Sequence, residues 1–123
     1  AQCSAGGKAL LASLDPAAID KWLDSGVKLP ALTPNTITDR KRLHEELAKI
    51  RNQGYSTEIE ELSMRRACVG APIQNMSGET IASASFATSL QHFQQHQNEL
   101  IDDIILLTND ISGDLGFNLL NRS

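Results

Sequence analysis

Residues 67–87 read "ACVGAPIQNMSGETIASASFA", and the pattern of this stretch decides the fold class. The first eight residues are mostly apolar, as in a strand covered on both faces. "NMSG" (75–78) is a hairpin turn signal. "ETIASASFA" (79–87) then alternates as a strand, with Ile81, Ser83, Ser85 and Ala87 on one face and Ala82, Ala84 and Phe86 on the other. Small side chains alternating with serine are unusual for a plain core face. Small residues make room, and hydroxyls supply hydrogen bonds.

Upstream of the hairpin, "YSTEIEEL" (55–62) alternates well enough for a further strand. Before it the period is helical. Residues 4–14 form an apolar helix that is rich in small residues at its start. "DPAAIDKWLDSG" (15–26) is a second helix, with Asp15 as N-cap, Pro16 at the first helical position and Gly26 at the end. "VKLPALTPNTIT" (27–38) carries two prolines and reads as a loop. Thr38 caps a third helix with Asp39 in its first turn. Leu43, Leu47 and Ile50 form its buried stripe, and Gly54 stops it. Downstream, residues 90–114 form a long helix. Phe93, Leu100, Ile101, Ile104, Leu107, Ile111 and Leu115 recur at helical spacing, and Gly116 closes it.

Three helices, a three-stranded meander and a helix make an α+β chain. Three strands are a thin sheet for a stable domain. Together with the missing initiator Met, this leads us to expect a piece of something longer, with structure preceding residue 1.

The totals narrow the function classes. A chain of 123 residues fits one domain, and 41% apolar residues suffice for its core. No apolar run approaches the ~18 residues of a membrane span, and residues 1–7 do not open as a signal peptide. The net charge of −4 argues against direct nucleic-acid binding, which calls for a basic surplus. The aromatics Trp22, Tyr55, Phe86, Phe93 and Phe117 are too few for a base-stacking platform. Cys3 and Cys68 do not make a disulfide scaffold, so a reducing cytoplasm is expected.

Four motifs could carry chemistry. "CSAGGK" (3–8) resembles a phosphate loop, but Ala9 follows Lys8, Gln2 stands where the first glycine is required, and no strand precedes it. Nucleotide hydrolysis is rejected. Gly6 and Gly7 either allow close packing or let a small anion approach the N–H groups of a helix start. His92 and His96 share one helix face near Glu99 and Asp103, which admits a zinc site as an alternative to a polar surface. Cys68 lacks a histidine partner signature and reads as a small buried hydrophobe that could line a pocket. In "EIEE" (58–61), Glu58 and Glu60 share one face and Glu61 the other. Paired carboxylates can serve acid–base work, while an exposed acidic strand is the commoner use of such a run.

Five ordered blocks carry a resemblance. "CSAGGKALLA" (3–12), "LTPNTIT" (32–38), "LAKIRNQGYSTEIEE" (47–61), "CVGAPIQNMSGETIASASF" (68–86) and "DISGDLGF" (110–117) look like the effector-binding domain of IclR-type bacterial transcriptional regulators. The resemblance covers nearly the whole chain. It implies a GAF/PAS-like antiparallel sheet flanked by helices, here without its first helix and strands. Residues 1–123 would be the later part of that domain, with the DNA-binding winged helix-turn-helix absent from this chain.

The resemblance implies an effector site at Ala5, Gly6, Glu58, Arg66, Cys68, Ser85 and Ala87. It implies no catalytic residue, cofactor or metal. The partners would be a small, anionic, carboxylate-bearing metabolite and further copies of the chain, as a homodimer or homotetramer. DNA would be bound only through the absent N-terminal domain, and no membrane is involved. Three departures stand out: Gln2 where many members have His, Arg65 where Gly is usual, and Ala87-Thr88-Ser89 where Ser-Gly-Pro often ends the last strand. Ala87 loses a hydroxyl, and Arg66 adds a cation suited to a carboxylate. An interaction module with a vestigial pocket is the competing reading. It rests on the consecutive apolar residues Ile104, Ile105, Leu106 and Leu107 of the last helix.

Overall fold

The computed structural model describes residues 2–116. Its elements are α1 (Ala5–Ala12), α2 (Pro16–Asp24), α3 (Arg40–Gln53), β1 (Ser56–Ile59), β2 (Arg66–Gln74), β3 (Thr80–Ser89) and α4 (Leu90–Asp114). The strands form one antiparallel sheet in the order β1-β2-β3. The class is α+β, as the hairpin pattern predicts. Phe117 of the last resemblance block lies outside the described residues.

β2 is covered on both faces, as its apolar run requires. Ala67, Val69 and Ala71 pack with Phe93, Ile101 and Ile104 of α4. On the other face, β2 meets α1 at Gly70. A Cβ there would lie 2.9 Å from the backbone carbon and oxygen of Ala5, so only glycine lets the helix sit this close. A second core joins Leu11 and Ala12 of α1, Ile19 of α2, Ile37, and Leu43, Leu47 and Ile50 of α3. This is the stripe that the helical spacing predicts.

Local chemistry sets the boundaries, and several details differ from the sequence expectation. The N-cap of α3 is Asp39 rather than Thr38, because the Asp39 carboxylate accepts from the Arg42 N–H at 3.0 Å. Asp15 occupies the N-cap of α2, yet its side chain makes no capping bond. β1 stops at Ile59 instead of running to residue 62, since Glu60 takes a left-handed φ of 56°. In α4, Leu107 and Leu115 are exposed, whereas Thr108 and Ser112 are buried. Those two polar residues are satisfied. The Thr108 hydroxyl donates to the Ile104 carbonyl at 2.9 Å. The Ser112 Oγ accepts from Gln74 N at 3.0 Å, where a register shift interrupts the β2–β3 ladder. Gly54 ends α3 in the left-handed conformation, as predicted. Among the described residues, no helix is long and apolar enough to cross a membrane.

Candidate functional site

The start of α1 is built to approach the sheet. Ser4 is its N-cap: the hydroxyl accepts from Gly7 N at 3.0 Å, and the carbonyl accepts from Lys8 N at 2.9 Å. The N–H groups of Ala5 and Gly6 remain, as the first amides of any helix do. The Ser56 hydroxyl of β1 donates to the Ala5 carbonyl at 2.6 Å and pins the helix start. Gly6 faces β3. A Cβ on it would lie 3.1 Å from the Ser83 Oγ and 3.9 Å from the Ser85 Oγ.

Strand register lines up the rest. Glu58 pairs with Cys68, and Cys68 with Ala87. In the next row Ser56 pairs with Gly70, and Gly70 with Ser85. Directly paired residues point to the same side of a sheet. Glu58, Cys68, Ala87 and Ser85 therefore share the face on which α1 rests. Arg66 pairs with Ser89 at the end of that face and is exposed.

Glu58 is 1% exposed. Its Oε2 accepts from Glu61 N at 2.9 Å, while its Oε1 is buried with no nitrogen or oxygen donor. Beside it, burial pushes the Cys68 thiol up to about 11, and the Glu58 carboxylate pushes the same way, by its charge and by a side-chain hydrogen bond with the thiol, against a smaller opposing effect of Arg66. Cys68 is thus a neutral thiol at physiological pH and a poor nucleophile, which fits a pocket-lining role and not covalent chemistry.

Lys8 overturns two expectations. It is fully buried, and its ammonium is taken up by groups of β1, the turn after it and α3. The Nζ donates to Glu61 Oε2 at 2.9 Å, Oε1 at 3.1 Å and the Thr57 carbonyl at 2.5 Å, with Glu46 at 3.6 Å. So "EIEE" is not an exposed acidic strand: Glu58 and Glu61 are both buried. Nor does Glu61 lie opposite Glu58, because the turn at Glu60 breaks the strand alternation. Burial raises the Glu61 pKa, against the lowering effect of Lys8. The turn is clamped from outside, as the Thr33 hydroxyl donates to the Glu60 carbonyl and the Thr36 hydroxyl to the Glu61 carbonyl.

Residues 1–113 match the family described as bacterial transcriptional regulator IclR C-terminal. The chain belongs to the IclR family. RhmR of Escherichia coli K12, an HTH-type transcriptional regulator, is 39% identical over 112 residues, which cover 90% of this chain and 43% of RhmR. The chain thus spans less than half the length of that relative. The crystal structure of the regulator YaiJ superposes with a TM-score of 0.88 at 28% identity, over 94% of this chain and 65% of that one. The PobR inducer-binding domain from Acinetobacter was solved as a double mutant with 3-hydroxybenzoic acid. It superposes with a TM-score of 0.80 at 30% identity, over 96% of this chain and 65% of that one.

In this IclR-family domain, six of the seven positions that the resemblance implies lie either at the α1 start (Ala5 and Gly6) or on the sheet face on which α1 rests (Glu58, Cys68, Ser85 and Ala87). Arg66 stands at the rim. Sequence reasoning left out Ser56, Gly70, Lys8 and Glu61. A glycine inside an apolar strand is a signal of close backbone approach, so Gly70 was findable. Nothing local marks Lys8 or Glu61 as buried. His92 and His96 stack with ring centroids 4.5 Å apart, and His96 lies 3.5 Å from Glu99. Among the described residues, no group of three His, Cys, Asp or Glu side chains is placed to hold a metal ion, so the zinc alternative has no third ligand.

Proposed function

We propose that this chain is the sensing part of a bacterial transcriptional regulator, binding a small hydroxy-carboxylate between the α1 start and the facing sheet. The observation that carries this reading is the buried Oε1 of Glu58, which has no nitrogen or oxygen donor and only the weakly donating Cys68 thiol beside the carboxylate. An unsatisfied buried polar group costs about 1–3 kcal/mol, and a ligand hydroxyl donating to it recovers that cost. The ligand's carboxylate would take the N–H groups of Ala5 and Gly6 and the Ser83 and Ser85 hydroxyls, with Arg66 adding charge at the rim. That PobR was solved with a hydroxybenzoic acid supports this ligand class. The DNA-binding part lies outside this chain, and the whole regulator works in the cytoplasm as a homodimer or homotetramer. Binding shifts the arrangement of subunits and so of their DNA-binding parts. The domain performs no catalysis and needs no cofactor.

Thermal-shift screening of hydroxy-carboxylates, 3-hydroxybenzoate among them, tests the reading. At least one compound raises the Tm of the wild type, and Ser85→Ala and Gly6→Val abolish that rise. A screen in which the variants respond as the wild type does would sink the proposal.

The outer face of α4 favours a second reading as an interaction module. Leu106 is 62% exposed and Leu107 39%. Ile105 packs against the sheet-side core, so Leu106 is the position to change. On the interaction reading, Leu106→Asp lowers the sedimentation coefficient and no carboxylate shifts the Tm. A Tm response retained in the variant separates sensing from assembly.

A further inference from the structure

We propose that the buried Lys8–Glu61 pair is the positioning device of the candidate site, setting the Glu58 carboxylate and the α1 amino end from one point. The geometry runs through a single residue. The Glu61 carboxylate holds the Lys8 ammonium with both oxygens. The Glu61 N–H holds Glu58 Oε2, which leaves Oε1 as the oxygen of Glu58 without a nitrogen or oxygen donor. Lys8 lies one turn into α1, so anchoring its Nζ sets how far the helix start lies over Gly70 and the two serines. The Thr57 carbonyl, on the residue next to Glu58, takes the same ammonium. Thr33 and Thr36 hold the Glu60–Glu61 turn in its left-handed bend.

An ion pair this deep is a weak source of net stability, because the desolvation of both charges offsets their attraction. What it supplies is direction. Two charges and the hydrogen bonds around them admit few arrangements, whereas an apolar contact between α1 and the β1 turn would admit many. Glu58 and Arg66 are the charged groups that act on Cys68, so the thiol reports where the Glu58 carboxylate sits. The inference gives the effector site its geometry and takes only its biological use from the proposal above, and its readout needs no ligand.

The test compares the wild-type chain with the double variant Lys8→Met, Glu61→Met, which replaces the pair by apolar groups of similar size. Iodoacetamide alkylation of Cys68 is followed against pH by peptide mass, together with the amide resonances of Ala5 and Gly6. The wild-type rate rises with a midpoint near the thiol value of about 11. In the double variant the Glu61 N–H survives but the turn that carries it loses its side-chain anchor, so Glu58 shifts relative to the thiol, the midpoint falls, and the rate at pH 8 rises about tenfold per unit of fall. Both amide resonances shift. A folded double variant with the wild-type Cys68 profile and wild-type resonances overturns the proposal. Should it not fold, Thr36→Val loosens the same turn without touching a charge. It moves the profile in the same direction by less, and an unchanged profile there overturns the proposal equally. A moved profile in a chain that binds no carboxylate keeps the positioning role and removes the effector reading.

Discussion

α1 belongs to two regions of opposite character. Its last turn enters a dry apolar core, where Leu11 and Ala12 meet Ile19, Leu43, Leu47 and Ile50. Its first turn lies on a polar face, with Ser83 and Ser85 beside Gly6, Ser56 beside Gly70, and Lys8, Glu58 and Glu61 buried nearby in the chain's own polar network. In the apolar region burial does the work, at roughly 25 cal/mol per Å² removed from water. The exposed Arg40–Asp24 and Arg40–Asp20 pairs that also link α2 and α3 add little. In the polar region desolvation opposes folding, and one carboxylate oxygen is left unsatisfied. The helix is held at one end by packing and aimed at the other by directional bonds. On the proposed function, stability and recognition reside on different turns of one short helix.

The contrast is easiest to break in the apolar half. Leu47→Ala removes a fully buried side chain of α3 and costs about 2–5 kcal/mol. Denaturant unfolding shows this as a lower midpoint with an unchanged slope. Affinity for a carboxylate, measured on the folded fraction, stays at the wild-type value. A variant that loses stability and affinity in proportion would show that the two halves are one unit.

A smaller effect comes from where the halves join. Gly70→Val places a side chain 2.9 Å from the Ala5 backbone and costs about 1–3 kcal/mol as the helix start lifts. Here the ligand response disappears along with the stability. Calorimetric unfolding and titration of the same sample check it, and retained binding would mean that the close approach of α1 is not needed.

The smallest effect is a pH slope. The folded-state pKa of Glu61 is raised, with burial as the main cause, so the native chain binds more protons than the unfolded one just above the ordinary value of 4.5. Stability therefore falls as pH rises through that window, and this penalty is absent below it. Asp20, lowered by its hydrogen bond to His44 with burial opposing, acts in the opposite sense. Its contribution is present above 3.8 and is lost as pH falls below that value. Urea midpoints between pH 4 and pH 7 in wild type and Glu61→Gln isolate the first slope, and the variant is flatter across the window. An equal slope in both would assign it to another group.

Much of the apolar half was legible in the sequence. Leu43, Leu47 and Ile50 repeat at helical spacing, Gly54 ends their helix, and "NMSG" marks the hairpin. Each of these signals is local, because periodicity and left-handed turns depend on neighbours in the chain. The polar half was legible only in part. Strand alternation separates the Ser85 face from the Phe86 face correctly. It fails at Glu60, where one residue with positive φ swings Glu61 onto the side of Glu58.

The sequence by itself determined the order of elements, the hairpin, and which face of β3 carries hydroxyls. It determined these because they follow from spacing and turn chemistry within a few residues. Only the tertiary structure decided that Lys8 is buried, that Glu61 and not open water receives it, and that Glu58 keeps one oxygen free. The partners of Lys8 lie 49 and 53 residues away. A charge's burial is a property of everything packed around it, and no stretch of chain that short carries that information. In "CSAGGK", Gly6 lets the helix start lie close to the β3 serines, and the lysine is the residue whose proposed positioning role only the folded chain brings into view.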